Sequence, residues 1–306
     1  MSEKKVYNKP ALDLDEKIKL LKDRWLIITD VEKAKHYLLH IWYFRLTWYF
    51  KFYQDKETDI FHDWVNFEQV VHLYAFDRKL RLLTLDAIEK IEVSLKSNIN
   101  YTLYKDYWVF WYLDKSFFAL ENERNNEIYN NFINKVIEIQ EKQKSIFVKE
   151  YFIKYDGKYL PCWMLFEELT IWSISTILNV LKPEYCTKIA SNYSTYYVDL
   201  RKWINLLVQV RNISAHHSRL WNNDYLIKPR VQDVIFKNVF LLEKNNNTNE
   251  VSSNYYNTAL IINYLLKCIN KNFSWFDDLK KLFDDFSEVD KTKMWFVNDW
   301  QKNFWQ

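Results

Sequence analysis

Apolar residues recur three and four positions apart along most of this chain, the period of helices with one buried face. The clearest run predicts one long helix over about 73–103, with Phe76, Leu80, Leu83, Ile88, Ile91 and Leu95 as its inward stripe. Asp77 and Arg81, Asp86 and Lys90, and Glu92 and Lys96 stand four apart in the favourable order, each pair contributing about 0.2–0.5 kcal/mol. A first helix is expected over about 13–25, with Ile18, Leu21 and Trp25 inward, and Asp30 as the N-cap of the next. Residues 34–53 are dense in aromatics (Trp42, Tyr43, Phe44 and Trp48 among them) and predict a buried helix. His36, His40, Arg45 and Lys51 interrupt it too often for a membrane span. A loop with a short helix is expected over 61–70, a connection over 121–127 and an amphipathic helix over 130–151. A loop around Gly157 leads to a helix opening at Pro161. Residues 184–198 are expected to bridge to the next helix, 243–253 to form a linker, and 259–269 a further helix.

Composition sharpens the class. Glycine occurs once and proline four times, far too few for the turns of a β-rich chain this long, so the fold expected is all-α. Abundant asparagine is expected to fill the left-handed and C-cap places that glycine usually takes. Cys162, Cys186 and Cys268 are scattered, with neither disulfide-framework nor metal-ligand spacing, and the N-terminus is polar and charged. A reducing, cytoplasmic setting is therefore expected, without a signal peptide. A net charge of +3 permits a nucleic-acid partner without demanding one.

The candidate chemistry gathers in 203–222. An apolar helical run from Trp203 leads into Arg211 and Asn212, then His216, His217, Arg219, Trp221 and Asn222. With Arg211 at zero on a helical wheel, Leu200, Ile204, Leu207 and Val208 fall within about 60° of it. Lys202, Asn205, Gln209, Asn212 and His216 form a polar row on the other side. Histidine titrates near neutrality and can take the proton of an RNA 2′-hydroxyl as that oxygen attacks its own phosphate. Arginine can grip the phosphate oxygens as charge builds there. On a regular helix, however, Arg211 and His216 point about 140° apart. Either the helix breaks near 212–216, or two chains share one site. Neighbouring His216 and His217 diverge by about 100° on a helix, whereas metal pairs usually stand four apart, so no metal site is expected, nor any cofactor. Arg219, Lys228 and Arg230 could extend a phosphate-binding rim, and Tyr43 and Arg45 could touch RNA, since bases stack on aromatic faces at about 1–3 kcal/mol each.

Arg211 with His216 matches the R-x(4–6)-H signature of HEPN-type ribonucleases. The longer string R-N-x-x-A-H-H-x-R-L-W-N resembles that of the Abi-like family, bacterial abortive-infection proteins. Further elements resemble the family in order: Tyr7 to Pro10 near the start, Tyr43 to Leu46 as Y-x-R-L, Phe76 to Arg81 with Ile91 and Glu92, and Pro161 to Thr170 as P-x-W-x-x-x-E-x-x-(S/T). The tail from Met294 resembles M-G-F-P-x-x-W, with Trp295 where glycine is usual and Val297 where proline is usual. The resemblance implies a HEPN-like helical bundle over 71–235, an N-terminal helical extension over 1–70 and a C-terminal one over 250–306 packed on the core. It implies a metal-independent endoribonuclease toxin, with Arg211, Asn212 and His216 catalytic and His217, Arg219, Asn222, Lys228 and Arg230 binding RNA. Glu89 or Glu92 could orient a catalytic side chain, although both suit an ordinary helix surface. One such motif per chain implies a homodimer with a composite site, and the association of one branch of that family with small noncoding RNAs implies such an RNA as the regulator. The competing expectation is a module that binds RNA or a phage protein and cleaves nothing.

Overall fold

A computed structural model of the chain describes residues 10–105, 108–231, 251–296 and 299–304. The opening stretch around Tyr7, most of the expected linker, and Val297 and Trp305 of the tail lie outside the described residues. The fold is all-α: the described residues form helices, and extended backbone pairs only at isolated bridges. The chain divides into two compact units, Met1–Lys79 and Leu80–Gln306.

In the first unit, α1 (Leu14–Asp23) starts at Asp13, which accepts from the Glu16 N–H while the Glu16 carboxylate accepts from the Asp13 N–H, a reciprocal cap. Ile18 and Leu21 face inward as expected, but Trp25 does not. Its φ of 71° ends the helix and leaves the ring 59 % exposed, and Leu26 fills the core instead. Asp30 caps α2 (Val31–Tyr37) as expected. The aromatic stretch is not one buried helix. A π-helical turn, Leu38–Trp42, and a φ of 73° at Trp42 separate α2 from α3 (Tyr43–Phe50). Leu46, Tyr49 and Phe50 face inward, whereas Trp42, Phe44 and Trp48 face outward. The ammonium of Lys17 sits 5.0 Å from the Trp42 ring and that of Lys51 5.5 Å from the Trp48 ring, giving two exposed indoles a cationic neighbour.

Helix α4 (Phe67–Tyr104) starts six residues before the expected position. The Asn66 side chain accepts from the Gln69 N–H at 2.9 Å and the Gln69 side chain from the Asn66 N–H at 2.8 Å, so a capping pair initiates the helix there. Its inward stripe is the predicted one, with Leu83 only half-buried. Lys90 pairs with Asp86, and Lys96 with Glu92 at 3.1 Å.

In the second unit, α5 (Glu123–Lys142) and α6 (Ile146–Lys154) replace the single helix expected over 130–151, because Gln143 turns left-handed between them. Helix α7 (Cys162–Glu168) opens at Pro161, and Thr170 caps α8 (Ile171–Val180). The stretch expected as a bridge contains α9 (Pro183–Ser191), started by Pro183 in its first turn. Then come α10 (Tyr197–Ala215), α11 (Tyr255–Ile269), capped by Asn254 and so longer than expected, and α12 (Trp275–Asp285), which was not among the expected helices although Trp275, Phe276, Leu279, Leu282 and Phe283 repeat with the helical period. Helix α10 is the centre, packed on α8, α9 and α11, while α5 packs on α8 and α12 on α11.

Among the described residues, left-handed backbone falls on Trp25, Trp42, Asp59, Gln143, Ser194, His217, Asn222, Trp295 and Asp299. Asparagine was expected in such places and at C-caps; it supplies one of the left-handed residues, and Asn192 and Asn270 are the C-caps of α9 and α11. Its side-chain oxygen is also used at helix starts, at Asn66, Asn122 and Asn254, where short acceptors are favoured.

Candidate active site at the end of the central helix

Helix α10 is covered on almost its whole circumference. Leu200, Trp203, Ile204, Leu206, Leu207, Val208 and Val210 are buried. The sector left over is the polar row. Asn205 is taken up by α8, accepting from Ser175 and from Asn179 at 3.1 Å. Gln209 accepts the N–H of Ile227 at 3.1 Å. Asn212 accepts from Arg211 Nη1 at 3.4 Å, and His216 is exposed. Arg211 is half-buried, on the stripe occupied by Leu207 and Val208.

The helix stays regular up to its final residue. The N–H of His216 still bonds the carbonyl of Asn212 at 3.0 Å, so the angular register holds to 216. Arg211 and His216 thus project from one helix about 140° apart, as the wheel required. The turn comes one residue later. His217 has a φ of 58°, its N–H bonds the Ser214 carbonyl at 3.1 Å, and the Ser218 N–H bonds the Ile213 carbonyl at 2.9 Å. Those two bonds are the Schellman termination, with His217 where glycine is most common. His217→Gly is expected to raise the unfolding free energy by about 1 kcal/mol, because glycine adopts that conformation without steric cost. Urea titration reads this directly, and a loss of stability would show that the imidazole contributes more than the strained backbone costs.

The loop beyond is fixed from several sides. Arg219 Nη2 donates to the Asn222 carbonyl at 2.9 Å, across a turn in which Asn222 has a φ of 48°. Trp221 is fully buried and its Nε1 donates to the Asp290 carbonyl at 3.0 Å. Arg230 gives its carbonyl to Trp203 Nε1 at 2.8 Å, and Lys228 is exposed. One residue here was expected from sequence only as the ion-pair partner of Asp77. Arg81 on α4 is 3 % exposed, and its Nη1 donates to the Ser218 carbonyl at 3.4 Å, just past the two histidines. An arginine beside the inward positions Leu80 and Thr84 was the signal for it.

Glu92 is engaged with Lys96, and Glu89 is exposed. Tyr43 and Arg45 lie on α3 in the first unit; Tyr43 is half-buried, and burial raises its hydroxyl pKa. The three thiols lie apart. Burial pushes Cys162 up to about 11 and raises Cys186 and Cys268 as well. Among the described residues, no three His, Cys, Asp or Glu side chains gather as a metal site would need, and no helix is long and apolar enough to cross a membrane.

A family model described as Abi-like protein matches residues 36–222, well over half of the chain. The chain belongs to the Abi-like family. The matched segment closes on Asn222, the last residue of the string that Arg211 begins, so the Abi-like region takes in α10 and the fixed loop after it. The tail with Trp295 lies beyond it. Comparison with curated proteins and with solved structures gave no significant match.

Proposed function

We propose that this Abi-like protein is a metal-independent endoribonuclease of bacterial abortive-infection defence against phage, built on a HEPN-like bundle over 71–235 with helical extensions over 1–70 and 250–306. The observation that carries the reading is the end of α10. The helix is buried along most of its length up to Val210, and it ends in a half-buried Arg211 and Asn212, joined by a hydrogen bond, and an exposed His216.

In this account His216 takes the 2′-hydroxyl proton. The 2′-oxygen bonds to phosphorus, the bond to the 5′-oxygen breaks, and the leaving oxygen takes a proton from an imidazolium. Arg211 holds the phosphate oxygens through its fork, and Asn212 holds Arg211. The products are a 2′,3′-cyclic phosphate and a 5′-hydroxyl. Because Arg211 and His216 diverge on one helix, two chains related by a twofold axis complete each site, the histidine of one facing the arginine of the other. A structured small noncoding RNA is the regulator proposed for such a nuclease in uninfected cells, in the cytoplasm.

The test is incubation of the purified protein with single-stranded RNA in excess EDTA, followed by analysis of product ends. Cyclic-phosphate ends are expected. Intact RNA, after any co-purifying RNA has been stripped, would reduce the protein to a binding module.

A further inference from the structure

Beyond Asn222 the chain doubles back to the uncovered row of α10, where the Ile227 N–H bonds Gln209 Oε1. There it meets the start of α11. The Tyr225 N–H donates to the Ser253 carbonyl at 3.0 Å, and Ser253 Oγ donates back to the Ile227 carbonyl. A cavity of about 410 Å3 lies at this junction, lined by Asp224, Tyr225, Lys228, Asn254 and Trp295 among others. That volume suits a small ligand or one unit of a polymer, since such sites span roughly 300–1,000 Å3.

Two features of the lining indicate an occupant. Trp295 is 51 % exposed; its φ of 69° closes the short helical turn Lys291–Met294, so it is the uncovered ring, not the backbone, that bears on an occupant. Asn254 is 1 % exposed. Its Oδ1 is committed to the Asn257 N–H at 2.9 Å, which fixes the orientation of the amide. Its Nδ2 is therefore a buried donor, and among the described residues it has no hydrogen-bond partner. An indole face, a buried amide donor, a carboxylate at Asp224 and a cation at Lys228 together match a heteroaromatic ring with polar edges joined to a phosphate. We infer that this cavity receives one nucleobase of the RNA on which His216 acts. Trp295 stacks on the base, Asn254 and Asp224 read its edge, and Lys228 meets the neighbouring phosphate. The inference rests on the nuclease reading and adds to it a base preference.

The test uses the full chain and 2′-fluoro single-stranded 12-mers, which lack the attacking hydroxyl. Trp295→Gly suits the left-handed backbone, so its melting temperature should not fall. It is expected to weaken RNA binding about 5- to 100-fold, the loss of one stacked base. Trp295→Phe should keep most of the affinity. An abasic unit at one position of the oligonucleotide should weaken the unmutated chain to a similar degree and leave Trp295→Gly indifferent. Unchanged affinity in a folded Trp295→Gly, or abasic losses that persist in it, would overturn the site. If the unmutated chain binds no RNA, the nuclease reading falls, and calorimetric titration with the four nucleoside 5′-monophosphates tests the cavity alone. Binding of at least one that is lost in Trp295→Gly upholds the site, and heat from none of them overturns it.

Discussion

His216→Ala is expected to lower RNA cleavage by about 10²–10⁴-fold, the usual worth of a positioned general base. The side chain is exposed at the end of α10 and the substitution lies outside the packed faces of the helix, so folding should be unaffected and the melting temperature should stay within about 2 °C of the unmutated chain. RNA affinity should fall far less than turnover. A cleavage rate within threefold of the unmutated protein would remove His216 from the chemistry. Loss of rate and affinity in parallel would make it a binding residue.

Trp221→Ala should have the largest effect on stability. The ring is fully buried in the loop that follows α10, and its Nε1 ties that loop to the Asp290 carbonyl at 3.0 Å. Truncating a buried tryptophan to alanine costs about 3–5 kcal/mol. In a unit of this size that corresponds to a fall in melting temperature on the order of 10 °C. Trp221→Phe separates the two contributions, because it keeps most of the volume and removes a hydrogen bond with a net worth of about 1 kcal/mol. Trp172→Ala is the control: that ring is 60 % exposed, and its loss should cost within about 0.5 kcal/mol. Calorimetric melting of the three variants decides this. Equal melting temperatures for Trp221→Ala and Trp172→Ala would show that the loop is not anchored by the buried indole.

The sequence and the fold agree where burial repeats with the helical period. The stripe of α4 and the two faces of α10 were legible because each position is decided by a neighbour three or four residues away. Disagreement concentrates where the backbone turns left-handed without glycine. Trp25, Trp42 and Gln143 carry no turn signal in their residue type, so one helix ran too long, one aromatic stretch read as continuous, and α5 and α6 merged. Early helix starts at Phe67, Glu123 and Tyr255 depend on asparagine caps just outside the apolar period. At the candidate site, Arg211, Asn212 and His216 could be found from their order alone. The contact of Arg81 with Ser218 spans 137 positions and left only a buried arginine as its trace. The cavity beside Trp295 was hidden for the same reason, since its walls come from three separate stretches of chain.

In the proposed mechanism, the divergence of Arg211 and His216 on one regular helix is the reason for building each site from two chains. Mixing Arg211→Ala with His216→Ala tests this most directly. Each variant alone should be inactive. After exchange of subunits, half of the dimers are mixed, and each mixed dimer holds one intact site, so cleavage should recover to about a quarter of the unmutated rate. A mixture as inactive as its two components, with subunit exchange verified by differently tagged copies, would contradict the shared site.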